Sequence, residues 1–136
     1  MTKMSKDKET NNLEHKRLVA ELLTELKRQG LEITTAALES YEPCIEVEKQ
    51  IPDVKACNRK KDYVVFAVAA TCEELASEAT LERLKVFSGR YMSAGKSKGA
   101  EVPLCIAISK GCEPQLEACL RNLKLDKKKN IFLYAF

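Results

Sequence analysis

Nothing in this chain approaches the roughly 20 consecutive apolar residues that span a bilayer. The opening stretch, MTKMSKDKETNNLEHK, lacks the apolar core of a secretory signal. These absences predict a cytoplasmic protein with no membrane partner. No CxxC pair occurs among the six cysteines, and the single histidine, His15, adds only one imidazole. The usual tetrahedral zinc spacings are therefore missing. Several cysteines sit inside apolar runs such as PLCIAI and EACLRNL, where a reduced thiol behaves as a small hydrophobe. All six are expected to be buried free thiols rather than a metal or disulfide framework. Charge of one sign is not concentrated either. The formal net charge is +3, and the one basic run, Lys127–Lys129, reads as a solvated loop rather than a phosphate-binding stripe. There is no internal repeat and no linker.

What is present describes one ordinary domain. A hydrophobic fraction of 45% and a charged fraction of 32% over 136 residues are enough for a real core. Residues 1–11 are polar and aperiodic and are expected to form a disordered tail. The folded domain should cover 12–136. From Asn11 or Asn12, a plausible N-cap, Leu18, Val19, Leu22, Leu23 and Leu26 fall on one helical face, and Gly30 is a natural stop. His15 projects onto the same stripe and reads as a half-buried helix residue. Glu21 and Glu25 flank the stripe as solvated charges that could also face a cleft. Residues 31–40 read as a loop or irregular strand, and Ile45 and Val47 alternate with Glu46 and Glu48 as an edge strand.

The centre of the chain is IPDVKACNRKKDYVVFAVAATCEEL, residues 51–75. Val54–Cys57 and Tyr63–Ala70 read as two strands joined by the charged turn Asn58–Asp62, the second covered on both faces. Thr71-Cys72-Glu73-Glu74 has the form of a capping box, and Ser77 offers a second helix start. Leu81, Leu84, Phe87 or Ser88, and Tyr91 keep helical spacing until the loop Gly95–Gly99. Val102–Ile108 is a buried strand with proline near its start. A helix follows with Pro114 in its first turn, and Ile131–Phe136 forms a last strand. The order predicts an α/β domain with a mixed sheet, helix–hairpin/meander–helix–strand–helix–strand, in three α/β/α layers.

This order, with Pro52-Asp53 at the start of the second core strand, the turn at 58–62, the apolar strand 63–70 and the TCEEL segment, resembles the PD-(D/E)xK nuclease superfamily, the restriction-endonuclease-like fold. The resemblance covers about residues 12–136. It implies Asp53 as first ligand of a Mg²⁺ ion, with a second carboxylate and a lysine two residues apart on the next strand. Those places are held by Ala67 and Ala69, which cannot bind metal or orient water. Substitutes could come from Lys55, which strand alternation puts on the face of Asp53, or from Glu73 and Glu74 at the following helix start.

The expectation is a catalytically inactive nuclease-like domain, without cofactor, that binds nucleic acid or a protein. Lys85, Arg90, Lys96 and Lys98, running off a helix into a glycine-containing loop, are the phosphate-contacting candidates. One alternative is a Mg²⁺-dependent nuclease with a site rebuilt from Asp53, Lys55 and Glu73 or Glu74. The other is a homodimer formed through the aromatic last strand as an open sheet edge.

Overall fold

The computed structural model describes residues 2–136, with side chains from residue 10 onward. Helix α1 spans Thr2–Arg28, and Gly30, at φ +86°, ends it in the left-handed conformation that glycine alone adopts freely. Residues 2–11, expected as part of a disordered polar tail, form the first turns of α1 instead. Asn11 and Asn12 are not N-caps, because the helix starts well before them.

Strands β1 (Glu32–Ala36), β2 (Val54–Asn58) and β3 (Tyr63–Ala70) form an antiparallel meander. A 3-10 turn at Glu74–Ala76 leads into α2, Glu78–Ser88. Strand β4 (Leu104–Ile108), α3 (Glu113–Asn122) and β5 (Ile131–Ala135) complete the chain. The sheet order is β1-β2-β3-β4-β5, with β4 parallel to β3 and β5 parallel to β4. The domain is thus mixed α/β, with a five-stranded mixed sheet and three helices.

Two cores lie on either side of the sheet. Leu18, Val19, Leu22, Leu23 and Leu26 of α1 pack on Val54, Val65 and a set of small residues: Ala36, Ala56, Ala67, Ala69 and Ala107. Leu84 and Phe87 of α2 with Leu116 and Leu120 of α3 pack on Phe66, Val68, Leu104, Ile106 and Ile108 of the other face. The alternation of Tyr63–Ala70 is therefore buried on both sides, as the unbroken apolar run requires.

Local signals decide the ends of these elements. Thr71 and Glu74 form the capping box, with Thr71 Oγ1 accepting from Glu74 N–H at 3.1 Å and Glu74 Oε1 accepting from Thr71 N–H at 2.9 Å. It caps the 3-10 turn, while Ser77, accepting from Thr80 N–H, caps α2. Helix α2 stops at Ser88, so Tyr91 is not part of it. Tyr91 bridges to Glu101 at the base of a loop. Residues 45–48 are not a strand. Glu48 and Lys49 adopt φ of 47° and 68°, reversing the chain so that Val47 bridges only Gln50. The edge strand beside β2 is β1, which residues 31–40 left ambiguous because a bulge between Ile33 and Thr35 interrupts its alternation.

The cysteines divide. Cys72 and Cys112 are disulfide-bonded with Cα atoms 5.4 Å apart, while Cys44, Cys57, Cys105 and Cys119 are free. The expectation of six thiols fails because β3 and β4 are parallel neighbours. Their following loops emerge side by side from one end of the sheet, although 40 residues separate the two cysteines. No helix among the described residues is long and apolar enough to cross a membrane.

Candidate functional site

At that same end of the sheet, four charged side chains from four segments meet. Asp53 comes from the turn before β2, His15 from α1, Glu74 from the 3-10 turn and Arg83 from α2. Asp53 is 5% exposed, the one buried charged residue among the described residues. Its N–H donates to Ala67 C=O, which fixes it beside β3. Its Oδ2 accepts from Ala69 N–H at 2.7 Å and from Arg83 at 2.8 Å. Its Oδ1 lies 2.8 Å from His15 Nε2. Arg83 also donates to Ile51 C=O at 3.1 Å, so the guanidinium straddles the turn that carries Asp53.

His15 is the bridge of the cluster. Its other nitrogen, Nδ1, lies 2.7 Å from Glu74 Oε1. With a carboxylate on each ring nitrogen, both must carry a proton for both contacts to be hydrogen bonds. Burial alone would depress the imidazole pKa, but the hydrogen bonds and charges of Asp53 and Glu74 outweigh it and raise the value from 6.5 to about 9. At neutral pH the ring is an imidazolium. Burial in turn pushes both carboxyls up, yet the His15 bonds bring both below their ordinary values. Arg83 and the Ala69 N–H act with them on Asp53, and the Thr71 N–H on Glu74.

This arrangement has a definite chemical character. An imidazole flanked by carboxylates on both nitrogens has no free lone pair and cannot act as a general base. The two carboxylates sit on opposite sides of the ring, so they do not converge on one point. Among the described residues, no group of three His, Cys, Asp or Glu side chains is arranged to hold a metal ion. The cluster is an ion network that ties α1 and α2 to the β2–β3 hairpin.

The structure brings some expected residues together and disperses others. Ala67 and Ala69 lie beside Asp53, fully buried under α1. Glu74 joins the cluster through His15, whereas Glu73 is exposed. Lys55 is not in this site. It pairs across the hairpin with Phe66, and Asp53 precedes the strand, so the alternation that would align the two does not extend back to residue 53. Glu21 is exposed and Glu25 is bonded to Arg28 and Gln29, neither of them with Asp53. Sequence reasoning did not single out His15 and Arg83 as partners of Asp53. The available signal was His15 on the buried stripe of α1, since a polar ring there needs buried partners.

Lys55 instead lines a second cleft of about 610 Å³ on the α2 side of the sheet. Arg59, Arg90 and Tyr91 share it, and Tyr91 is 58% exposed. Arg59 pairs with Glu32 at 2.7 Å and Arg90 with Glu48 at 3.4 Å, both exposed carboxylates. Asp62 accepts from Lys96 N–H at 2.8 Å at the rim. Gly95 is required there, because a Cβ on it would sit 2.3 Å from Asp62 Oδ2 and its φ is +79°. Of the four expected phosphate contacts, Arg90 lines the cleft, Lys96 is in its rim loop, and Lys85 and Lys98 are exposed but do not line it.

Compared with protein-family models, curated proteins and solved structures, the chain matches none of them.

Proposed function

We propose that this chain is a catalytically inert domain of the PD-(D/E)xK nuclease-like kind that works as a nucleic-acid-binding module. The single observation that carries the reading is the state of Asp53. Its two oxygens accept from His15, Arg83 and the Ala69 N–H, so the positive charge that a divalent cation would bring is already supplied by the protein. The antiparallel hairpin followed by two parallel crossovers, with Asp53 beside Ala67 and Ala69, supports the nuclease-like kinship.

The binding part of the reading rests on the cleft of Lys55, Arg59, Arg90 and Tyr91. An exposed aromatic ring among cations is the combination that stacks a base while holding its phosphates. The exposed pairs to Glu32 and Glu48 contribute at most about 1 kcal/mol each, so a phosphate can replace either carboxylate. Fluorescence anisotropy of labelled single-stranded DNA, single-stranded RNA and duplex DNA, at low and moderate salt and with and without Mg²⁺, tests both halves. Salt-dependent binding of intact oligonucleotide, weakened by Arg59→Glu and Arg90→Glu, is the expected result. Absence of salt-dependent binding to all three removes the binding half, and Mg²⁺-dependent cleavage removes the inert half.

A second reading, self-association through β5, is favoured by one specific observation. Phe136 N–H donates to Ile108 C=O and Leu104 N–H donates to Asn130 C=O. By the alternation of a parallel ladder, the peptide groups of Ile131, Leu133 and Ala135 face the open edge. Phe132 and Leu133 are each 47% exposed, and the strand carries no charge to discourage pairing. Sedimentation over a wide concentration range decides it. A dimer abolished by Leu133→Pro, which removes only an outward N–H, is the expected outcome, and a monomer at every concentration excludes it.

A further inference from the structure

An open cleft of about 540 Å³ adjoins the ion cluster, at the end of the sheet where β3 and β4 finish. It includes Asn11 and Glu14 of α1, Cys72 and Glu73 after β3, and Lys110 and Cys112 after β4. Its volume is in the range of small-molecule sites, which run from about 300 to 1,000 Å³. The disulfide lies within its lining, and its two halves differ sharply. Cys72 is exposed, whereas Cys112 is 2% exposed. Cys72 is the residue of the pair that offers the larger surface to an attacking thiol.

Cys112 is also the N-cap residue of the ten-residue α3. No side chain caps α3 while the disulfide is closed, and Pro114, at the second helical position, has no N–H, so the N–H of Gln115 is the donor open to a released Cys112 sulfur. The helix N-terminus adds its partial positive charge, and both effects stabilise a thiolate there. Glu113 opposes them in part, although its carboxylate is engaged by Gly111 N–H at 2.6 Å. The Cys72 sulfur is thus the electrophile and the Cys112 sulfur the better leaving group. The charged groups around the cleft complement a zwitterion. Exposed Lys110 suits a carboxylate and exposed Glu73 an ammonium, while Glu14 is already bonded to Arg17 and Ser109.

We propose that this cleft binds a small zwitterionic peptide thiol and that the Cys72–Cys112 disulfide exchanges with it. The peptide thiolate attacks Cys72 Sγ, the Cys72–Cys112 bond breaks, and its electron pair leaves on Cys112 Sγ. The product is a mixed disulfide at Cys72 and a Cys112 thiolate. A second peptide thiolate attacks the peptide sulfur of that mixed disulfide and releases the Cys72 thiolate. Two thiols are oxidised to one peptide disulfide, one protein disulfide is reduced, and the two thiol protons pass to the cysteines.

The test incubates the full chain, folded and without denaturant, with the tripeptide γ-glutamyl-cysteinyl-glycine and separately with 2-mercaptoethanol. Intact mass and peptide mapping follow the adducts. Early alkylation of the wild-type chain with iodoacetamide is expected to trap the mixed disulfide, with the tripeptide on Cys72 and the alkyl group on Cys112. Lys110→Glu should slow the tripeptide by roughly fivefold and leave 2-mercaptoethanol unchanged. Circular dichroism establishes that each variant is folded. A disulfide that resists both thiols until the protein is denatured overturns the exchange. Adduct on Cys112 overturns the assigned polarity, and equal effects of Lys110→Glu on both thiols overturn the recognition by the cleft.

Discussion

His15 carries more of this molecule than its place in a leucine stripe suggests. With Asp53 on one nitrogen and Glu74 on the other, it is the cation between two anions. Its folded pKa of about 9 lies above the 6.5 of the unfolded chain, so its contribution to stability is complete below pH 6.5. That contribution is lost as pH rises through 9. The carboxylates act in the opposite direction, because their folded values are depressed. Their share is present above the ordinary carboxylate range and is lost as the pH falls through the lower, folded values. Thermal melts from pH 6 to 10 are expected to show a falling Tm in the wild type and a much flatter profile in His15→Gln. Removing the anion instead leaves His15 and Arg83 facing each other without it. Asp53→Ala is expected to cost about 3–5 kcal/mol by denaturant unfolding, and Glu74→Gln, at the half-exposed side of the ring, clearly less.

The elements explain why small side chains, and not charged ones, stand at positions 67 and 69. Ala67 and Ala69 belong to a set with Ala36, Ala56 and Ala107 on the face that receives α1. Small side chains across three neighbouring strands and the edge strand beyond them let the leucine face of α1 seat close to the sheet. A carboxylate or an ammonium there would be buried without a partner. Ala67→Asp and Ala69→Lys are therefore expected to destabilise the fold by several kcal/mol rather than to create activity, as read from urea unfolding and from a nuclease assay with Mg²⁺. Helices and strands with unbroken periodicity, such as Leu18–Leu26 and Tyr63–Ala70, were legible from their apolar spacing. So was the capping box at Thr71. What resisted reading depended on contacts between distant segments. The His15–Asp53 and Arg83–Asp53 pairs and the Cys72–Cys112 bond all join groups at least 30 residues apart. The short-range misreadings came from a backbone reversal at Glu48–Lys49, which residue type does not mark, and, at Tyr91, from Gly89, which caps α2 one residue after Ser88.

At the scale of the molecule, the sheet divides the chemistry. The end where β3 and β4 finish carries the ion cluster and the disulfide, and the α2 side carries the basic cleft with Tyr91. The two sites should be separable. Tyr91→Ala is expected to weaken single-stranded nucleic-acid binding by about 1–3 kcal/mol, measured by anisotropy, with little change in Tm. Asp53→Ala should do the reverse, lowering Tm while leaving affinity of the folded fraction intact.

The central claim is that protein cations, and not a metal ion, neutralise Asp53. Because His15 is the only histidine, its ring resonances can be followed by NMR without ambiguity, through a pH titration in the presence and absence of Mg²⁺. The account predicts one titration step near pH 9 and no displacement by Mg²⁺. A step near 6.5, or ring shifts that move with Mg²⁺ concentration, would contradict it.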